Sequence, residues 1–129
     1  MLLESEAMVN VRDHDNYTPL HHACVQGYST IVMSLLQNQA DINAVSAQGF
    51  TALHSACLMG HTEIVRVLLS YGANIHIADH QGFSAFLFAV RENNEDIVRI
   101  LMEHGANVHA KTYEGFNALH IAAVKYNTN

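Results

Sequence analysis

Residues 49–74 read GFTALHSACLMGHTEIVRVLLSYGAN, and their pattern returns along the chain at an offset of 33 residues. The offset aligns a turn residue, a large apolar residue and an alanine four times: Asn16, Gly49, Gly82 and Gly115; Leu20, Leu53, Phe86 and Leu119; Ala23, Ala56, Ala89 and Ala122. A period of about 20 to 50 residues indicates stacked supersecondary units, because each unit alone cannot bury its apolar face. The sequence therefore predicts a repeat array.

Each unit begins with a short predicted helix. Residues that cap helix N-termini stand at the same place in all four units, namely Thr18, Thr51, Ser84 and Asn117. Pro19 follows the first of them, where a first-turn proline is tolerated. About eight residues later come Gly27, Gly60 and Asn93, residue types that accept the left-handed conformation at a helix end.

A second helix follows in each complete unit. Its apolar residues form one stripe at i, i+1, i+4 and i+5: Ile31, Val32, Leu35 and Leu36; Ile64, Val65, Leu68 and Leu69; Ile97, Val98, Leu101 and Met102. This helix is expected to end near Gln39, Gly72 and Gly105. Between units lie polar stretches with a turn glycine, for which Asn16 substitutes in the first unit, and these predict projecting hairpin-like fingers.

The run TPLHHA at Thr18–Ala23 resembles the signature of the ankyrin repeat family, and the second unit is similar to the family pattern almost throughout. The resemblance covers the whole chain. It implies an all-α ankyrin-repeat solenoid of stacked helix-turn-helix units with projecting β-hairpin-like fingers. In that architecture the first helices and fingers line a concave face, and the second helices form the convex back.

The register divides the chain into three complete repeats at 13–45, 46–78 and 79–111, followed by a partial repeat at 112–129 with a finger and a first helix. Residues 1–12 are interpreted as the tail of a preceding repeat or an N-terminal cap, because Leu2 and Leu3 align with Leu35 and Leu36. Repeat arrays usually need polar terminal caps. We therefore expect a segment of a longer protein; the alternative is a short natural array capped by half repeats.

The composition narrows the classes of partner and compartment. The chain has 129 residues, 50% hydrophobic and 14% charged, with a formal net charge of −6. That charge disfavours nucleic acid and acidic membranes as partners. Neither a signal peptide nor a membrane-spanning apolar run is visible, so no membrane insertion is expected. Two cysteines without a Cys-x-x-Cys pair fit a reducing compartment, and we expect an intracellular, cytoplasmic location.

Ten histidines raise the question of metal binding. His21, His54 and His120 share one repeat position, and His76 and His109 share another, which spreads them along the stack instead of gathering them around one ion. The resemblance implies that the signature histidine hydrogen-bonds within and between fingers. Cys24 and Cys57 are interpreted as small core residues, too far apart for a disulfide. We expect no metal, no cofactor and no catalytic residue.

The residue after the turn glycine is aromatic in all four units, and stacking is expected to set these side chains in one ladder. Aromatic residues are enriched in binding hot spots. The predicted partner-binding residues are Tyr17, Phe50, Phe83, Phe116, Gln48, Gln81, Leu58, Met59, Val25 and Tyr113. Variable neighbours extend this patch at His14, Asp15, Glu114, Gln26, Arg91, Glu92, Val124 and Lys125. Packing between fingers is an equally weighted explanation of the aromatic positions.

These observations favour a non-catalytic, monomeric protein-interaction module that binds an apolar or amphipathic segment, or a domain surface, of another protein. The alternative is a regulatory or targeting ankyrin segment of a larger enzyme or channel whose catalytic part lies outside these residues. The length of the parent protein would separate the two.

Two local features add expectations. In the third unit Leu87 replaces the signature histidine, so the finger near 79–86 is expected to loosen, unless Phe86 and Phe88 pack more densely there. In the first unit Asn43, with Leu35 upstream, is similar to the finger asparagines that are hydroxylated in ankyrin proteins. His76 and His109 occupy its place in the later units.

Overall fold

The computed structural model describes residues 6–127, and the side chains of residues 8–124 within them. Eight helices lie in this range. A one-turn helix, α1 (Glu6–Val9), comes first. The inner helices, those directly after a finger, are α2 (Pro19–Gln26), α4 (Ala52–Met59), α6 (Ala85–Arg91) and α8 (Ala118–Asn127). The outer helices are α3 (Ser29–Gln37), α5 (Thr62–Ser70) and α7 (Glu95–Glu103). The alignment of Leu2 and Leu3 lies outside the described residues.

The inner helices begin at the predicted caps. The side chains of Thr18, Thr51, Ser84 and Asn117 each accept a hydrogen bond from the backbone N–H three residues later. Each such bond satisfies an amide that the helix itself leaves unpaired, which stabilises a helix by about 1 kcal/mol. The three residues predicted at the helix ends, Gly27, Gly60 and Asn93, all have positive φ angles. The sequence-based bounds of these helices are therefore confirmed.

The outer helices bury most of the predicted apolar stripe, and the residues that follow them, Gln39, Gly72 and Gly105, have positive φ as expected. Two positions depart from the prediction, Met102 at 50% exposed and Ile31. Ile64 and Ile97 are 1% and 0% exposed, but Ile31 at the same register is 48% exposed. The reason is packing: α5 lies against α3 and α7 against α5, whereas among the described residues the only helix before the first unit is the single turn of α1.

The fingers between the helices are closed by their own backbone. In each finger an N–H donates to the carbonyl four residues later, from Asp13 to Tyr17, Ser46 to Phe50, Asp79 to Phe83 and Thr112 to Phe116, at 2.8–3.0 Å. The third residue after each donor has positive φ, and Asn16 takes this place with φ 65°, as predicted. The fingers are thus tight hairpin-like turns, with no strand among residues 6–127.

Adjacent units are joined through both fingers and helices. The N–H groups of Ala47, His80 and Tyr113 donate to the carbonyls of Asp15, Gln48 and Gln81 in the preceding finger, at 2.9–3.0 Å. Inner helix packs on inner helix and outer on outer, so that one hydrophobic core runs from Val9 to Ile121. Because helices of seven to ten residues are marginal alone, this stacking supplies most of their stability. None of the described helices is long and apolar enough to cross a bilayer.

Candidate partner-binding face

The finger/inner-helix face consists of the four fingers and the exposed side of α2, α4, α6 and α8. Two buried histidines connect neighbouring units of this face by hydrogen bonds. The Nδ1 atom of His21 accepts a hydrogen bond from the Thr18 backbone N–H at 3.1 Å. Its Nε2 atom must therefore carry the proton, and it donates to the Phe50 carbonyl oxygen at 2.8 Å. His54 makes the same two bonds, to Thr51 at 3.0 Å and to Phe83 at 2.8 Å. The implied bridging role of these histidines is confirmed.

Burial sets the charge state of the two bridging histidines. Both side chains are 1% exposed. Desolvation lowers the pKa of His21 and of His54 below the ordinary value, although the backbone carbonyl that each contacts opposes the shift. The neutral form is the one that fits the hydrogen bonds, since Nδ1 must remain an acceptor. These residues are structural elements of the face.

The third unit departs from this scheme in a different place than expected. Its finger keeps the bond from His54 to Phe83, and the Asp79 carboxylate also accepts from the N–H groups of Gln81 and Phe83 at 2.9 and 2.8 Å. Loosening of residues 79–86 is expected from the sequence because Leu87 replaces a histidine, but His54 of the preceding unit supplies the histidine bond to this finger. A leucine at 87 removes the donor that would reach the next finger, at the Phe116 carbonyl.

The remaining histidines are dispersed. His22 lies 2.8 Å from the Asp13 carboxylate, His61 donates to the Val25 carbonyl at 3.1 Å, and His104 donates to the Ile100 carbonyl at 2.9 Å. Among the described residues no three His, Cys, Asp or Glu side chains are grouped as a metal site. Burial raises the pKa of the Cys24 thiol to about 12 and also raises that of Cys57. Both are free thiols within the core, as predicted.

The four aromatic residues after the turns do not form the expected continuous ladder. Tyr17, Phe50 and Phe116 pack against the histidine of their own unit, with ring centroids 5.3, 6.0 and 6.1 Å apart. Phe83 stacks on Phe88 instead, at 5.0 Å and an interplanar angle of 11°. Within the described chain no two successive members touch ring to ring, because one finger repeat separates them. The rings therefore pack against side chains of their own unit and also contribute to the surface of the face.

The other predicted partner-binding residues also lie on this face. The backbone carbonyls of Gln48 and Gln81 accept the bonds that join the fingers, while their side chains remain exposed. Val25 and Leu58 are half-buried. Met59 and Tyr113 are the exposed apolar members, at 49% and 72%. The ten predicted residues thus divide into supports and a smaller exposed set.

A cleft of about 380 Å³ lies on this face between the third and fourth units. Its lining is largely apolar and consists of Phe83, Arg91, Glu92, Phe116, His120, Ile121 and Val124. Of the ten predicted residues it brings together only Phe83 and Phe116. The Arg91 guanidinium carbon lies 5.2 Å from the Phe83 ring centroid, and its Nε donates to Glu92 at 3.2 Å. The sequence did not indicate that His120 and Ile121 line this cleft.

Comparison with known families agrees with the geometry. A family model described as ankyrin repeats in three copies matches residues 1–79 and 74–129. The chain belongs to the ankyrin repeat family. Ankyrin repeats are generally protein–protein interaction modules, and the all-α stack and bridging histidines described above are those that the resemblance implied. No curated protein matches the chain closely enough to count as a relative.

The ankyrin asparagine at position 43 has a structural role. The Asn43 side-chain oxygen accepts from the Asn74 backbone N–H at 2.8 Å, as the Asn10 oxygen accepts from Asp41 at 2.7 Å one unit earlier. Each therefore joins a loop to that of the next unit. Hydroxylation of Asn43 stays a prediction, which a mass increment of one oxygen on its peptide would test.

Proposed function

We propose that this ankyrin array is a non-catalytic module that binds a segment of another protein on its finger/inner-helix face. The observation that carries the proposal is the exposed apolar surface on this face, where Met59 and Tyr113 are about half and three-quarters exposed and Phe116 is 44% exposed. These side chains stand on units fixed by backbone hydrogen bonds. Exposed apolar groups on a rigid support are typical of interaction sites, because little ordering is needed on binding.

The state of the two cysteines and the two bridging histidines supports binding over catalysis. A nucleophilic cysteine needs a lowered pKa and access to solvent, and both thiols here are buried with raised pKa values. A histidine base needs a free ring nitrogen, and in His21 and His54 both nitrogens are engaged.

Charge and exposure indicate the class of partner. The described finger tips, at 13–16, 46–49, 79–82 and 112–115, carry exposed carboxylates at Asp13, Asp15 and Glu114 and contain no lysine or arginine. The face therefore combines apolar side chains with negative charge. An amphipathic segment suits such a face better than a strongly acidic one, since like charges across an interface oppose association.

The chain offers a matched experiment. Met59→Glu with Tyr113→Glu places two charges on the finger/inner-helix face. Met102→Glu with Tyr71→Glu places the same two charges on the outer side, at residues 50% and 42% exposed. Tagged wild type and both variants would be used for affinity capture from lysate with quantitative mass spectrometry, and the captured protein would then be titrated in purified form.

We expect the face variant to lose the captured protein and the outer variant to retain it, with equal thermal melting of all three chains. Loss from the outer variant alone would place the interaction on the other side of the stack. Retention by both variants would also contradict the proposal.

A further inference from the structure

The cleft between Phe83 and Phe116 has a filled counterpart one unit earlier in the same chain. Phe88, from α6, occupies the space between Phe50 and Phe83. Its ring stacks on Phe83 at 5.0 Å and meets Phe50 edge-on at 5.6 Å. The Arg91 guanidinium carbon lies 4.7 Å from the same ring centroid. Phe88 therefore shows what this type of cleft holds: one aromatic ring between two finger aromatics and beside a cation.

The repeat register explains why the next cleft is open. Ile121 stands 33 residues after Phe88, at the same place on α8. An isoleucine is shorter and carries no ring, so it forms the floor of the cleft and leaves about 380 Å³ above it. The walls keep their aromatic character, because Phe83, Phe116 and His120 all line the space. A volume of this size lies in the range of sites that bury a compact organic group.

We propose that this cleft binds an aromatic side chain of a partner's peptide segment, in the place that Phe88 takes in the preceding cleft. An aromatic occupant is favoured over an aliphatic one because rings packed edge-on or offset against other rings gain more than their buried area alone provides. The proposal rests on the proposed function, and it names the group that anchors the segment.

Charges around the cleft indicate which residues stand next to the aromatic residue in the partner's segment. Arg91 is paired with Glu92 at the rim, so its charge is already balanced. Glu114, exposed on the same finger as Phe116, adds a negative charge, which the exposed Lys111 just before that finger tip partly offsets. The whole chain carries −6. The segment is therefore one in which lysine or arginine stands close to the aromatic residue, and salt weakens its binding.

The direct probe is N-acetyl-tryptophanamide, titrated into the isotope-labelled full chain and followed by amide chemical shifts, with N-acetyl-leucinamide as the aliphatic comparison. We expect shifts concentrated at residues that line the cleft and at least about tenfold weaker binding of the leucine probe. Equal binding of the two probes, or shifts spread over other surfaces, would overturn the assignment.

Ile121→Phe is the decisive variant, because it puts into the cleft the side chain that the chain itself uses one unit earlier. It is expected to fold and to weaken the tryptophan probe at least about tenfold. Phe116→Leu, which removes one aromatic wall at a position that is 44% exposed, tests the same point if the first variant melts at a lower temperature. Met102→Phe adds a ring on the outer side and is expected to leave binding unchanged.

A phage-displayed library of random dodecapeptides then tests the segment. We expect selected peptides to carry an aromatic residue beside lysine or arginine and to be lost on Ile121→Phe. Peptides lost on the Met59→Glu, Tyr113→Glu variant but retained by Ile121→Phe would overturn the cleft and leave the proposed function standing. If the peptides depend on the cleft but the captured protein is lost only from the outer variant, the cleft would stand and the proposed function would be overturned. A library without enrichment would count against the cleft.

Discussion

The Nε2 atom of His54 donates to the carbonyl oxygen of Phe83, 29 residues later, at 2.8 Å, while its Nδ1 accepts from the Thr51 N–H of its own unit. One ring thus closes a helix cap and ties the following finger. Replacing His54 by leucine leaves the buried Thr51 amide without its acceptor, and we expect a loss of about 1 to 3 kcal/mol in the free energy of unfolding. Urea titration measures it. His120→Leu, at an exposed ring, is the matched control and should cost less.

Because position 87 is leucine, the fourth finger lacks the histidine hydrogen bond that the second and third fingers receive. Amides at 113–116 are expected to exchange faster than those at 47–50 and 80–83. Leu87→His should slow exchange in the fourth finger, because the new ring reaches the Phe116 carbonyl as His54 reaches Phe83. Hydrogen exchange read by mass spectrometry or NMR gives the comparison. Unchanged exchange at 113–116 in a folded variant would refute this explanation.

Stability should fall as the solution becomes mildly acidic. The pKa values of His21 and His54 are lowered in the folded chain by burial, from an ordinary value of 6.5. Below pH 6.5 the unfolded chain therefore binds more protons than the folded chain, so stability is fully present above that pH and declines until the lowered pKa values are reached. Urea titrations between pH 7.5 and pH 5 should show this decline. It should shrink in His21→Leu, His54→Leu and persist in His76→Gln, His109→Gln.

Two glycines with positive φ, Gly82 in a finger and Gly72 after an outer helix, differ in how much space surrounds them. A Cβ on Gly82 would lie 2.5 Å from the Tyr113 backbone nitrogen of the next finger, whereas one on Gly72 would meet no atom within 4 Å. Both have positive φ, so alanine at either site is strained by about 1 to 2 kcal/mol. Gly82→Ala should cost at least about 2 kcal/mol more than Gly72→Ala, since the close fingers must separate. Equal losses in urea titrations would show that finger spacing is adaptable.

The two thiols should report global unfolding. Burial raises the pKa of Cys24 to about 12 and that of Cys57 also, which disfavours the reactive thiolate. A disulfide reagent at pH 8 is expected to titrate neither thiol in the folded chain on a time scale of minutes, and both at once in guanidinium. Rapid native labelling of either cysteine would mean that the core opens locally.

Much of this fold follows from short-range requirements that are legible in the sequence. A residue such as Thr51 must cap a helix, and Asn16 or Gly49 must allow positive φ, wherever the register places them. What the sequence did not reveal depends on packing across units. The exposure of Ile31 reflects what lies beside α3, and the cleft above Ile121 results from the size of one side chain relative to Phe88. Such features need the neighbouring unit in place before they can be seen.

The finger-to-finger hydrogen bonds run in one direction, from an N–H of each finger to a carbonyl of the preceding finger, and Leu87 interrupts the histidine series before the fourth unit. In a linear array, the stability of each unit depends on its interfaces with the neighbouring units. A chain stretched from its ends should therefore release the fourth unit first, at lower force than the rest. The cleft spans that same junction, with Phe83 and Phe116 on opposite sides. A ligand bound between these two rings would hold the third and fourth units together, and tension on the array would regulate how long the ligand stays bound.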